Sequence, residues 1–170
     1  MNNFFRLSVK KKIRFSHSTQ EVWKVISSPG NLNLFHPFCK SNKVIKLNHS
    51  IIKRDKLVYH NGLTFFRDFY QWDDTKGYKL YIGTKDGKKS KVEWKLSPQS
   101  HHSYLSIEIF PYISTKYPVI IYYILFFLII KPNLKRYLVH VLNGLEFYMD
   151  HRVPIEKNQF GKHRWFSNMS

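Results

Sequence analysis

The chain contains no alanine, a single cysteine, and only 11 acidic residues against 28 lysines and arginines. Each shortage excludes something. One cysteine, Cys39, leaves no partner for an intramolecular disulfide and suits a reducing compartment. The lack of alanine goes with an excess of Lys, Ile, Asn, Phe and Tyr, as low-GC coding would produce. Such coding accounts for lysines, but not for the shortage of acids. Residues 1–54 carry eleven bases and one acid, Glu21, and the formal net charge is +17. A balance of that kind favours anionic partners, nucleic acid or the anionic face of a membrane. There is no long hydrophobic run. The longest apolar stretch, 117–130, would span about 21 Å as a helix, short of a bilayer core of roughly 30 Å. The opening residues, MNNFFRLSVKKK, lack the apolar core of a signal peptide, so the cytoplasm is the expected location, with a peripheral position at the inner face of a membrane as its variant. No repeat, low-complexity linker or second-domain boundary is visible.

What is present suffices for a core. Of the 170 residues 43% are hydrophobic and 17% aromatic, too apolar for a disordered chain. The expected organisation is one domain over 1–150, with an apolar insertion at 117–130, and a basic, aromatic extension over 151–170. Residues 5–15 alternate: Phe5, Leu7, Val9, Ile13 and Phe15 against Arg6, Ser8, Lys10, Lys12 and Arg14, a half-buried strand. Ser18-Thr19-Gln20-Glu21 reads as a capping box opening a helix that Pro29-Gly30 stops. A second short helical piece is expected at 31–35. Period-two alternation then predicts strands near 42–48, 54–60, 63–72, 78–84, 90–96 and 103–110. Asn61-Gly62 and the later Asp/Gly/Ser/Pro clusters mark tight reversals, so neighbouring strands are antiparallel. From Leu134, apolar residues fall at 134, 137, 138, 141, 142, 145, 148 and 149, one face of a helix. Pro132 is expected to open it.

The run Phe15-Ser16-His17-Ser18-Thr19-Gln20-Glu21-Val22-Trp23-Lys24-Val25-Ile26, followed by Pro29-Gly30-Asn31-Leu32, resembles the opening of the START-related superfamily. That superfamily gathers polyketide cyclases, lipid-transfer domains and birch-pollen-allergen-like proteins (SRPBCC). The element order is similar over about residues 5–112 and 131–150. The resemblance implies an α+β helix-grip fold, with a curved antiparallel sheet of about seven strands around a long C-terminal helix, and a pocket for a hydrophobic ligand. The superfamily shares no catalytic residues to carry over. Two features depart from it, the insertion at 117–130 and the tail from His151.

Physical reasoning also predicts a cavity, because one helix across a strongly curved sheet leaves its concavity unfilled. Its expected wall is Trp94, Leu96, Leu105 and Ile107 on the sheet, with Leu138, Val141, Leu142 and Leu145 on the helix. Tyr59 and Arg67 are its candidate polar residues. Strand parity leaves open whether Arg67 or Asp68 faces inward; an inward Arg67 would fork onto a ligand carboxylate or phosphate, and the competing reading is a solvated strand charge. Glu93 and Glu108 point outward, and His60 lies in a strand. For 117–130 three readings stand: a buried helix, a dimer contact, or a membrane contact. The last would use Tyr122, Tyr123, Phe126 and Phe127, with Lys116, Lys131, Lys135 and Arg136 reaching lipid phosphates. His36, Cys39, His101 and His102 have no metal-binding spacing, and Cys39 has no base at recognisable spacing. No metal and no cofactor are expected. The expected function is binding, with transport as an extension, of a hydrophobic or amphiphilic small molecule or lipid near an anionic membrane. Acid–base catalysis on a ketide-type substrate is the alternative. Nucleic-acid binding through Lys162-His163-Arg164-Trp165-Phe166 is the third reading, and it is disfavoured because no such motif is present. Oligomeric state is left open.

Overall fold

A computed structural model of the chain describes residues 7–49, 51–100, 102–112 and 118–168. Phe5 and Arg6 of the first expected strand, His101, and Lys116 and Tyr117 at the start of the apolar segment lie outside the described residues. The chain runs β1 (Val9–Phe15), α1 (Thr19–Ile26), α2 (Leu32–Phe35), β2 (Cys39–Asn48), β3 (Ile51–Tyr59), β4 (Thr64–Asp73), β5 (Gly77–Gly83), β6 (Ser90–Gln99), β7 (His102–Phe110), α3 (Val119–Leu125), a π-helical segment (Phe126–Ile130) and α4 (Lys131–His151). The strands form one antiparallel sheet in the order β1-β7-β6-β5-β4-β3-β2. It is a meander closed by β1 beside the last strand, and its concave face wraps α4.

Local chemistry sets the boundaries. Ser18 Oγ accepts the Glu21 N–H and Glu21 accepts the Ser18 N–H at 2.8 Å, so the capping box forms and α1 starts there. Strand alternation holds: Val92, Trp94 and Leu96 on β6, and Leu105, Ile107 and Ile109 on β7, face the core. Outward-facing charges pair across the surface: Lys10 with Glu108 at 3.3 Å and Lys91 with Glu93 at 2.6 Å. Register shifts in β2–β3 and β4–β5 bend the sheet around the helix. Edge strand β2 exposes Lys40, Lys43 and Lys46, which discourages strand addition by another chain. At the Asn61-Gly62 turn only Gly62 takes positive φ (89°). Asn61 serves through its side chain, which accepts the Leu63 N–H at 3.0 Å and donates to the Trp165 carbonyl at 2.8 Å.

The helix does not restart at Pro132. Residues 119–151 form a continuous helical rod, widened over 126–130, where the Lys131 N–H reaches the Phe126 carbonyl five residues back. A proline inside an α-helix lacks an N–H and crowds the carbonyl four residues before it. The widened turn immediately ahead of Pro132 relieves that conflict. The Ile129 carbonyl accepts the Asn133 side-chain amide at 2.7 Å. At the other end Arg152 ends α4 in the left-handed conformation, φ 57°.

The segment after α4 packs back on the domain. The Ile155 N–H donates to the Leu34 carbonyl and the Asn158 N–H to the Pro37 carbonyl, both at 3.0 Å. His163 and Phe166 are buried. Tail aromatics that were candidates for base stacking are engaged with the protein's own rings: Phe166 stacks on Tyr59 at 4.4 Å and on His163 at 5.1 Å. Gly144 lets α2 approach α4, since a Cβ there would sit 2.1 Å from the Phe35 carbonyl oxygen.

Candidate functional site

Between α4 and the concave face of the sheet lies a cavity of about 210 Å³. Strands β3 to β7 supply Leu57, Tyr59, Phe65, Arg67, Leu80, Val92, Trp94, Ile107 and Ile109. The helix supplies Leu134, Tyr137, Leu138 and Val141, α2 and its end supply Leu32 and His36, and the tail supplies Phe166. The cavity reaches the surface at the β5–β6 hairpin, where Thr84 and Lys88 line it and are exposed. The residues just after β7 sit at the same hairpin: the Tyr112 N–H donates to Ser90 Oγ at 3.0 Å and Lys88 lies over the Tyr112 ring.

Of the ten residues expected to form the pocket, Tyr59, Arg67, Trp94, Ile107, Leu138 and Val141 line this cavity. Leu96, Leu105, Leu142 and Leu145 do not. They are buried, Leu105 and Leu145 completely, in the solid part of the core. They share the inward parity of their neighbours, but side chains from α1 and α2 fill that end of the concavity.

Arg67 does face inward, with 3% of its surface exposed, and Asp68 faces out to Arg54 and Lys89. Neither reading of Arg67 describes what it does. Its Nε donates to Asp55 Oδ1 at 2.8 Å and Nη2 to Asp55 Oδ2, and Nη2 also reaches Asn31 Oδ1 at 3.3 Å. Asp55 is wholly buried. The fork that would have held an anionic ligand is closed by an internal carboxylate. Burial opposes the guanidinium charge, but Asp55 more than compensates and holds the Arg67 pKa above its ordinary value.

Sequence reasoning missed the other polar group of the cavity. His36 Nε2 lies 2.7 Å from the Tyr137 hydroxyl, which lies 3.4 Å from the Tyr59 hydroxyl. The Phe38 N–H donates to His36 Nδ1 at 3.3 Å, which leaves the ring proton on Nε2. Burial, then the charge of Arg67, pushes the His36 pKa down to about 3, so the ring is neutral. Burial pushes the Tyr137 hydroxyl up to about 12 and Tyr59 well above its ordinary range. Period-two and helical patterns could not have joined residues 101 positions apart. The only cue was His36-Pro37 at the end of a predicted short helix. Cys39 is raised by burial to about 12, far from a thiolate nucleophile. Among the described residues no three His, Cys, Asp or Glu side chains group as metal ligands.

The apolar insertion divides into two faces. Tyr122 and Phe126, one turn apart, are buried and belong to the core, so these two are not surface contacts. Their spacing puts both on the side turned to the domain. Nine other large apolar residues of the segment are exposed, from Val119 to Ile129, Leu128 most of all at 73%. Tyr123 and Phe127 are among them, and Lys131, Lys135 and Arg136 are exposed on the turns that follow. The segment is thus not the buried helix of the first reading. No helix among the described residues is long and apolar enough to cross a membrane.

No family model matches the chain, and no curated protein matches it in sequence. Solved structures do match. A START superfamily protein from Mycobacterium smegmatis aligns with TM-score 0.65 at 13% identity, over 86% of this chain and 99% of its own. DynU16, a protein of the dynemicin biosynthetic locus, aligns with TM-score 0.62 at 12% identity over 86% of this chain; the chain spans 48% of that protein's length. Ara h 8.0201 aligns with TM-score 0.59 at 12% identity, over 84% of this chain and 97% of its own. With its seven-stranded curved sheet gripping one long helix, the chain has the helix-grip fold of the START-related superfamily that its opening residues resemble.

Proposed function

We propose that the protein binds a hydrophobic or amphiphilic small molecule, or a lipid, in the cavity beneath α4. The observation that carries this reading is the cavity itself: about 210 Å³, walled mostly by Leu, Ile, Val and aromatic side chains, open at one end. A mostly apolar space of that size in a packed interior is unfilled opportunity for an apolar ligand. Its polar groups favour retention over turnover. His36 titrates near 3 and Tyr137 near 12, whereas a general acid or base works best near the operating pH. START-superfamily, dynemicin-locus and Ara h 8 proteins share the fold, which suits ligand binding and cyclase-like chemistry alike. The cavity's own chemistry favours the former.

The second part of the proposal concerns where the ligand comes from. The apolar side of 119–129 is exposed, and no acid occurs between Glu108 and Glu146, while Lys131, Lys135 and Arg136 follow the apolar turns. An apolar surface rimmed by cations fits an anionic lipid surface. Lys131 Nζ lies over the exposed Phe127 ring at 5.1 Å, a cation and an aromatic together at headgroup depth.

Native mass spectrometry of the purified protein, followed by solvent extraction, tests the first part; a co-purifying apolar molecule is the expected result, and a protein that takes up neither lipid extract nor apolar probes refutes it. Flotation with vesicles of phosphatidylglycerol and phosphatidylcholine tests the second. Binding should need the anionic lipid and be abolished by Ile124→Asp with Leu128→Asp. Failure to float on anionic vesicles removes the membrane part, and concentration-dependent association would point to a second copy of the chain on that face.

A further inference from the structure

One part of the cavity wall has a hydrogen-bond arrangement with one proton left over. The Phe38 N–H donates to His36 Nδ1, so His36 donates from Nε2 to the Tyr137 oxygen at 2.7 Å. Tyr59 is completely buried, and among the described residues the only hydrogen bond of its hydroxyl is with Tyr137 at 3.4 Å. Either hydroxyl could donate across this contact; Tyr59 is the more deeply buried and has no other acceptor among the described residues, so it is taken as the donor to Tyr137. Both lone pairs of the Tyr137 oxygen are then engaged. Its own proton has no acceptor among the described residues, and all three side chains line the cavity. The rings are fixed in place: Phe166 lies 4.9 Å from Tyr137 and 4.4 Å from Tyr59, and Phe38 stacks on Tyr137 at 5.9 Å.

We propose that this is a subsite for one neutral hydrogen-bond acceptor, a ketone or ester carbonyl, carried by an otherwise apolar ligand and received by the Tyr137 hydroxyl. The inference rests on the ligand-binding reading of the cavity and narrows its ligand class. An anionic group is disfavoured here. The permanent cation buried in the cavity wall, Arg67, is closed by Asp55 and Asn31, and Lys88 is exposed on the β5–β6 hairpin. A carboxylate here would be a buried charge without a partner. A donor group is disfavoured at Tyr137 because both of that oxygen's acceptor positions are taken.

Three probes of nearly one shape separate these classes: 2-acetylnaphthalene, 2-isopropylnaphthalene and 2-naphthoate, measured by equilibrium dialysis against the full chain. The acetyl compound should bind about five-fold tighter than the isopropyl compound, the worth of one neutral hydrogen bond, and naphthoate weakest. In Tyr137→Phe the acetyl preference should vanish while the isopropyl compound binds within about two-fold of wild type. In Tyr59→Phe the preference should survive, because the Tyr137 proton remains. Independently of any variant, the carbonyl stretch of bound, 13C-labelled 2-acetylnaphthalene should move to lower wavenumber than in hexane. Equal binding of acetyl and isopropyl probes, a preference that survives Tyr137→Phe, or an unshifted carbonyl stretch overturns the subsite and leaves the cavity reading standing. If no probe binds the wild-type protein, the cavity reading falls and the subsite with it.

Discussion

Asp55→Ala offers the sharpest test of how the interior is held together. Asp55 is fully buried and Arg67 is 3% exposed. The aspartate accepts two of the guanidinium's bonds, and Asn31 accepts one more. Removing the carboxylate leaves a guanidinium that cannot give up its proton, in an apolar wall, with one weak neutral partner. Breaking a buried pair from one side costs about 3–5 kcal/mol, a large fraction of the 5–15 kcal/mol that typically holds a domain together. With a urea m-value of about 2 kcal/mol per molar, the unfolding midpoint should fall by roughly 2 M. The paired replacement Asp55→Leu with Arg67→Met removes both charges and should recover most of the loss, because an apolar pair of similar volume avoids the desolvation cost altogether. Equilibrium urea unfolding followed by tryptophan fluorescence reads both effects. A single variant within about 1 kcal/mol of wild type would refute the reasoning. It would mean that water entering through the cavity solvates the guanidinium.

Three further outcomes follow from the same packing. Gly144→Ala gains about 1 kcal/mol of helix propensity but drives a Cβ to 2.1 Å from the Phe35 carbonyl oxygen; overpacking costs about 1–3 kcal/mol, so calorimetry should show a Tm lowered by a few degrees, and a raised Tm would mean α2 and α4 are not in close approach. His36 has its pKa lowered by burial to about 3 from an ordinary 6.5, so the unfolded chain binds the proton that the folded chain refuses. Its contribution to stability is intact above pH 6.5 and is lost as pH falls toward 3, at up to about 1.4 kcal/mol per pH unit; unfolding free energies of His36→Gln should show a correspondingly flatter slope in that window, and an equal slope would contradict the buried, neutral ring. Phe166→Ala removes a ring stacked on Tyr59 and should cost about 3 kcal/mol, with faster hydrogen exchange along 152–168 as the local readout.

Much of the architecture was legible because it follows from local rules. The capping box at Ser18, the alternation of β6 and β7, and the apolar stripe of α4 each have a short-range cause. What escaped depends on the third dimension. Inward parity is the same for Leu96 and Trp94, yet only the second borders the cavity, because volume contributed by α1 and α2 decides where the concavity is filled. The sequence TFFRDFY has no clean period, so Arg67 could not be oriented, and its partner Asp55 lies on the neighbouring strand. The His36–Tyr137 contact joins a loop to a helix far along the chain. The continuity of the helix through Pro132 was hidden by a reliable rule, that proline sits in the first turn of a new helix; a single widened turn ahead of it lets the preceding helix run on.

That widened turn has a mechanical consequence. Residues 119–151 are 33 residues of unbroken helix, a beam about 50 Å long at 1.5 Å per residue. One end carries the exposed apolar surface and the middle roofs the cavity. A break at Pro132 would have made two independent pieces joined by a hinge. Without the hinge, a tilt imposed on the outer end is delivered to Leu134, Tyr137 and Leu138 in the roof, and whatever props up the roof from below tilts the outer end in return. Under the proposed membrane contact, docking and cavity volume are coupled by leverage alone, with no intervening relay of side chains.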